Sequence, residues 1–458
     1  MAVQSRALPI SGRLGRLGNH RQLLLNIAVV ALCSVGVKIA GMLRDVVLAS
    51  EFGTSDAADA FIAAWAIPQF LAIIVGNAFA GVIIPLQAEA HGQGGERHSR
   101  RFLSEMLLIS IAGLIVVTLA MIPLRDTFLP LVTSNFGPAK LGQTRELWMI
   151  MLPAIFLFAM STIWSAMLNT GDRFGLAAMS PVLVPVATIG ALWIYPQGGI
   201  TSPTVGFVLG SFAQVVFLVI GLHRHQLDIV PSWHGGLLET RMALRQFVPY
   251  LANGIVFGGV GVVDQAMAAT LGQGSLAILS YGNKLVLPVL AIGSAALATV
   301  VYPRFSRLVA DREWIRLHQQ VKGYLAMVLL ATIPVTILII ALSTVIVRVL
   351  FEHGEFNPSD TRDVAELQMI FALMIPAYTL SQLLSRVLNA MRATRYLLIG
   401  SIVIFTFNIV ADYLFKEWFG ITGIAMATVG NYTLALVFNF YLFRRLMTAR
   451  LSAATGSR

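Results

Sequence analysis

Long apolar runs recur along the chain from about residue 22 to residue 443. Each is close to the ~20 residues that cross the hydrocarbon core of a bilayer as a helix. Twelve such segments are predicted, at 22–49, 57–88, 102–124, 146–170, 174–195, 203–222, 246–271, 275–303, 320–347, 364–391, 395–415 and 420–443. Several are long and interrupted by Gly or Pro, which predicts tilted, kinked or partly interfacial helices. All should be helical, because an open sheet would leave backbone groups unpaired in lipid. The expected fold class is an all-α polytopic membrane protein.

Composition sharpens this picture. The 458 residues are 57% hydrophobic and 12% charged, and mean hydropathy is +0.78. The net charge of +10 invites a nucleic-acid partner, but its distribution argues for topology instead. With the N-terminus set in the cytoplasm, 22 of the 32 Lys and Arg fall in tails and loops on that side, six fall on the other side, and four lie within spans. The outer segments collect acids instead, among them Glu51, Asp56, Asp59, Glu352, Glu355 and Asp360. This is the positive-inside pattern with both termini cytoplasmic, and it leaves no case for nucleic acid. The single Cys33 excludes a disulfide framework. The first apolar segment carries Lys38 and Arg44 and lacks a small-residue cleavage site, so it is expected to remain as the first span.

The chain reads as built twice. Ser165–Phe174 closes the fourth segment, and the related stretch Ser385–Thr394 closes the tenth, 220 residues later. Ile84-Pro85 and Tyr302-Pro303 each end the second segment of their half before a basic loop. The expected organisation is a cytoplasmic tail at 1–21, a first lobe at 22–222, a cytoplasmic linker at 223–245, a second lobe at 246–443 and a cytoplasmic tail at 444–458. Transporters with internal repeats bind cargo near the midplane between the repeats.

Six charged residues sit inside the apolar segments: Lys38, Arg44, Asp45, Asp264, Lys284 and Arg386. Intramembrane charges usually face a protein interior or a water-filled cavity and mark a pathway. This set is mostly cationic, which points to an anionic cargo carrying phosphate. Enzymatic readings find little support, since all eight histidines lie in tails or loops. The sequence holds no GxxxxGK[ST] phosphate loop, so the work must come from an ion gradient, the membrane potential or consumption of the cargo. His223, His225 and His234 lack the spacing of a metal site, and no cofactor is expected.

The stretch Lys38-Ile-Ala-Gly-Met-Leu-Arg-Asp-Val-Val-Leu-Ala-Ser-Glu-Phe-Gly53, followed by Asp59-Ala-Phe61 and Ile67-Pro68, resembles the opening of the MurJ/MviN lipid II flippases. Met167–Phe174 with Ser180-Pro181, Tyr281–Leu285 and Leu350–Phe356 are similar to later stretches of that family, in the same order. The resemblance implies the multidrug/oligosaccharidyl-lipid/polysaccharide exporter fold: two six-helix lobes forming a V around a central cavity. It also implies a polyprenyl-pyrophosphate-linked saccharide as cargo, membrane lipids as surroundings, and residence in the bacterial cytoplasmic (inner) membrane. Three departures stand out. The resembled family typically has fourteen spans against the twelve here, so its lipid-tail groove is expected to be missing. Lys38 and Lys284 stand where Arg is usual, and the arginine expected after Ile67-Pro68 is absent from Pro68–Ile74.

Within that frame, Lys38, Arg44 and Lys284 are the candidates for holding pyrophosphate. Lys38 and Arg44 lie about 120° apart around a helix and ~9 Å apart along it. Arg grips phosphate oxygens in a bidentate way, and Lys acts as a compact point charge. Asp45 reads as a structural pairing residue. Asp59 is open between gating the cavity and favouring its own helix N-terminus. Asp264 is open between a structural pair with Lys284 and a coupling-ion role. Arg386 reads as structural, with its guanidinium reaching the headgroups. The expected function is a flippase working by alternating access on lipid II or a related cell-envelope glycan precursor. The alternatives are an exopolysaccharide or O-antigen-type exporter, a drug/cation antiporter of the same superfamily, or a non-transporting scaffold of glycan assembly.

Overall fold

A computed structural model describes residues 11–170, 174–224 and 230–455. Arg6, Arg173, His225 and Arg458, counted above among the cytoplasmic charges or histidines, lie outside these residues. Every described element is helical. In chain order the long helices are α1 (Ser11–Phe52), α2 (Asp56–Gly92), α3 (Gly94–Ala120), α4 (Pro138–Asn169), α5 (Phe174–Ile194), α6 (Thr201–Arg224) and α7 (Leu238–Ala268). Then follow α8 in two pieces (Ser275–Lys284 and Val286–Ala296), α9 (Trp314–Phe351), α10 (Pro358–Ala390), α11 (Thr394–Phe419) and α12 (Ile421–Ser452). Each of the twelve segments expected from the sequence falls on one of these. Among the described residues ten helices, or eleven with the bent α8, are long and apolar enough to cross a membrane.

Local chemistry sets the ends and breaks. The run from Asp56 to Ala120 breaks at Gly95, whose φ of +69° only glycine adopts freely. The start of α10 is fixed by a capping box: Asn357 Oδ1 accepts from Ser359 N at 2.8 Å and Asp360 N at 3.1 Å, while Asp360 Oδ2 accepts from Asn357 N at 3.0 Å. Pro358 at the first helical position needs no amide partner there. The two pieces of α8 meet at Leu285 with a bend of 41°, immediately after Lys284.

Each half builds its own core and the two share a third. Phe102, Met106 and Ile163 belong to a first-half cluster, and Leu383, Val387 and Phe443 to a second-half cluster. Between them, Ala63, Trp148, Leu276 and Phe371 join residues of both halves. Outward faces stay apolar, with Leu330 and Ile337 on α9 and Val403 and Val410 on α11 exposed, as a lipid-facing surface requires. The helix ends that carry Asp56, Lys140 and Asp360 form one face of the bundle, here termed the acidic face. The ends near Arg97, Arg304 and Arg444 form the opposite, basic face.

Candidate functional site: a cation pair between the halves

The centre of the site is a three-residue ion cluster. On α1, Arg44 grips the neighbouring Asp45, with Nη2 donating to Oδ1 at 2.7 Å and Nε at 3.1 Å. From α8, Lys284 Nζ reaches the other carboxylate oxygen, Oδ2, at 2.9 Å. The cluster therefore ties the first half to the second through Asp45. The bend of α8 follows immediately after Lys284. Lys284 remains 31% exposed and Arg44 20%, whereas Asp45 is 11% exposed, so both cations keep a free side toward space.

That space is a cavity of ≈ 250 Å³ lined by Arg44, Asp45, Lys284, Gln69, Trp65 and Gln265. Two larger cavities adjoin it. One, of ≈ 620 Å³, shares Arg44 and lies within the first half beside Ser161, Ser165, Asn169 and Gln214. The other, of ≈ 610 Å³, shares Gln69 and Gln265 and lies between α2 and α7. Two cations beside one carboxylate carry an excess positive charge, and an anion entering the cavity competes with Asp45 for them. Lys38 stands apart: it is exposed on α1 and lines none of these three cavities.

Asp59 has a different task. Its carboxylate, 1% exposed, accepts from Lys140 Nζ at 2.6 Å, from Gly274 N at 2.7 Å and from Ala277 N at 2.9 Å. It thus caps the first turn of α8, in the opposite half, rather than stabilising its own helix. Sequence reasoning left Asp59 open between gating the cavity and the dipole of its own helix, and had no access to this partner, because the approach of Gly274 is a tertiary fact. Gly274 has a φ of +79°, and a Cβ there would run into Thr54. Around this cap the halves are further laced. Thr54 Oγ1 donates to Asp360 Oδ1 at 2.7 Å, and Glu355 N donates to Ser50 O at 2.8 Å. The acidic face is closed.

Asp264 does not pair with Lys284, which corrects that expectation. It lies in the second half, where Asn408 Nδ2 donates to its Oδ1 at 3.3 Å and Thr428 Oγ1 to its Oδ2 at 3.2 Å. The buried Asp412 turns its carboxyl toward that of Asp264. Two facing carboxyls, one of them accepting from an amide N–H and a hydroxyl, have the chemistry of a shared-proton site. Asp412 was missed in the sequence; its signal was the Asn408-to-Asp412 spacing of four, which places both on one side of an apolar helix. Arg386 is half-buried on α10, with its Nε unpaired.

Glu105 was missed as well. Fully buried on α3, it accepts from the backbone N–H groups of His234 (2.8 Å), Gly236 (2.9 Å) and Leu237 (3.0 Å) and from Thr240 Oγ1 (2.6 Å). Gly235 and Gly236, both at positive φ, curl the backbone so that its amides converge on the carboxylate. This clasp fastens the segment before α7 to the first half.

The comparisons with known proteins agree with this geometry. A family model described as "Lipid II flippase MurJ" matches residues 48–455. The lipid II flippase MurJ of Thermosipho africanus is 27% identical over 396 residues, covering 85% of this chain and 79% of the relative. A probable lipid II flippase MurJ of Vibrio cholerae is 26% identical over 426 residues, covering 89% and 80%. Among solved structures, a lipid II flippase MurJ in an inward closed conformation superposes with a TM-score of 0.78 at 24% identity, covering 91% of this chain and 87% of that one. An inward-facing multidrug resistance MATE family transporter of the MOP superfamily superposes at 0.73 and 15% identity, covering 92% and 99%. The bundle thus has the fold of these transporters, and the match over residues 48–455 makes the chain a member of the lipid II flippase MurJ family, a family of transporters and not of enzymes.

Proposed function

We propose that this protein carries a polyprenyl-pyrophosphate-linked saccharide, lipid II or a closely related glycan precursor, across the bacterial cytoplasmic membrane by alternating access. The observation that carries the proposal is the Lys284–Asp45–Arg44 cluster, which joins the two halves beside a cavity and holds two cations on one carboxylate. The basic face is cytoplasmic, with both termini on that side, as the positive charges of its loops favour. The headgroup enters from that side, and its pyrophosphate displaces Asp45 from Arg44 and Lys284. Lys38, exposed on the same helix ~9 Å before Arg44, meets the phosphate on its way in.

Freed from Lys284, the lobes 22–222 and 246–443 rock about the linker 223–245. The acidic face opens when Asp59 leaves the first turn of α8. Asp264 and Asp412 take up the coupling proton or cation, or respond to the membrane potential, and so bias which face is open. The absence of an arginine in Pro68–Ile74 lowers the cationic charge of the cavity relative to the resembled pattern. That departure favours, as a second reading, a related lipid-linked oligosaccharide of an exopolysaccharide or surface glycan.

The decisive experiment is depletion of the protein followed by identification of the lipid-linked saccharide that accumulates on the cytoplasmic side. Accumulation of lipid II supports the first reading, and accumulation of another lipid-linked glycan supports the second. If neither accumulates, the transport proposal fails.

A further inference from the structure

The ≈ 610 Å³ cavity between α2 and α7 differs in chemistry from the cation pocket it adjoins. Its lining contains no Asp, Glu, Lys or Arg. The polar groups it does contain are mostly carboxamides: Gln69 and Asn77 from α2, and Asn253 and Gln265 from α7. Gln69 and Asn77 are eight residues apart, about 80° around their helix, and Asn253 and Gln265 twelve apart, about 120°, so each helix presents a broad polar side to this one cavity. Gln69, Asn77 and Asn253 are exposed within segments that otherwise suit lipid. The Oε1 of Gln265 is buried with no hydrogen-bond partner. A buried unpaired amide oxygen is costly, and polar groups at membrane depth normally meet a partner or line a wet cavity. Here the arrangement lacks that partner.

Glycines shape the space. A Cβ on Gly254 or Gly258 would touch Ile74 or the Phe70 ring at 3.0 and 3.3 Å, so these two glycines let α7 lie close against α2. Gly261, one turn before Gln265, has nothing within 4 Å of where its Cβ would stand. It leaves the cavity open one turn before Gln265, which also lines the cation pocket.

Carboxamides both donate and accept, and they carry no charge. They match hydroxyl and N-acetyl groups, which also donate and accept. They offer no carboxylate for a cationic drug and no cation for a phosphate. We infer that this cavity is the saccharide subsite, in which Gln69, Asn77, Asn253 and Gln265 hydrogen-bond the sugar while Arg44 and Lys284 hold the adjoining pyrophosphate. Gln69 and Gln265, which line both cavities, mark the junction between sugar and phosphate. The inference rests on the transport reading above and specifies which part of the cargo each cavity takes.

The test uses the full chain in lipid nanodiscs and two probes, lipid II and undecaprenyl pyrophosphate without sugar. Gly261→Leu projects into the cavity from a position with open space around its Cβ, and Asn253→Ala removes a carboxamide that lines this cavity but not the cation pocket. Each is expected to weaken lipid II binding about tenfold, near the ~1.4 kcal/mol that a tenfold change represents. Binding of undecaprenyl pyrophosphate should stay within about twofold, which also reports that the variants are folded. Unchanged lipid II binding in both variants overturns the inference. So does an equal loss for both probes, which would make the cavity part of the phosphate site. Wild-type protein that binds lipid II no more tightly than undecaprenyl pyrophosphate overturns it too. Wild-type protein that binds neither probe instead retires the transport reading, and the subsite with it.

Discussion

Replacing Lys284 with Ala separates the partner seen in the structure from the one the sequence suggested. The substitution removes the 2.9 Å contact to Asp45 Oδ2 and leaves Arg44 holding Oδ1. Breaking a fully buried ion pair costs about 3–5 kcal/mol. Here Lys284 is 31% exposed and Arg44 remains, so the expected loss of stability is only about 1–2 kcal/mol, discounted for solvent screening. Asp45→Asn on the Lys284→Ala background removes the half-stranded charge and should recover most of that loss, read as thermal unfolding in detergent. Asp264→Asn on the same background should recover none, because Asp264 is held by Asn408 and Thr428. Transport in proteoliposomes should stay abolished in all three, since the phosphate has lost a cation. Lys284→Arg should retain much of the activity, and Lys284→Glu should be the worst of the series. Rescue by Asp264→Asn would refute the structural assignment. Restored transport in Lys284→Ala/Asp45→Asn would refute the phosphate role, leaving Lys284 as a strut for Asp45.

Other substitutions probe the remaining parts. Asp59→Ala removes the cap on α8 and one partner of Lys140, weakening the closed acidic face by about 2 kcal/mol; a cysteine at Ser280, which lines the cation pocket, should then label markedly faster with an impermeant reagent from the outer side, and an unchanged rate would count against the gate. Glu105→Gln sets an amide N–H₂ against a ring of donors and should cost about 1–3 kcal/mol, read as faster proteolysis within 230–237; wild-type resistance would show that the clasp does not hold the linker. Asp264→Asn should leave cargo binding intact while removing the dependence of transport on ion gradient or pH, and a retained dependence would move the coupling site elsewhere. Reporter fusions near residues 92 and 235 should read cytoplasmic and those near 135 and 358 external, whereas an external reporter at residue 450 would overturn the proposed orientation.

Much of the scaffold was legible because its causes are local. Apolar length marked the helices, and the basic and acidic loops marked the two faces. The site was only half legible. Arg44 and Lys284 announced themselves as charges in apolar segments, but the choice between Asp45 and Asp264 as partner of Lys284 depends on how α8 lies against α1 and α7. Periodicity along one helix carries no information about that placement. Asp412 and Glu105 were hidden by the same apolar background that exposed the cations, since each needs tertiary partners before its role can be read. The four carboxamides of the α2–α7 cavity drew no notice because uncharged polar residues are common in helices. Their meaning comes from facing one another across a gap.

Asp45 explains how two cations can wait in a membrane without an occupant. Alone, Arg44 and Lys284 would repel one another and each would bear the cost of desolvation. With Asp45 between them, that cost is offset by two short contacts of 2.7 and 2.9 Å, and the partial exposure of both cations keeps the arrangement exchangeable. Because Lys284 comes from the opposite half, the same contact that stores the charge also latches the halves together. In the proposed cycle, an anion that takes Lys284 from Asp45 would release the latch as it binds. Under the proposed function, this arrangement would couple cargo recognition to lobe movement at the cation pair itself. The coupling is directly measurable: Asp45→Asn should raise the affinity for undecaprenyl pyrophosphate, because the competing carboxylate is gone. It should also make the opening of the acidic face less dependent on cargo, because the latch is already released. If affinity rises while opening still requires cargo, the latch lies elsewhere, in the Asp59 cap and the Thr54–Asp360 and Glu355–Ser50 contacts around it.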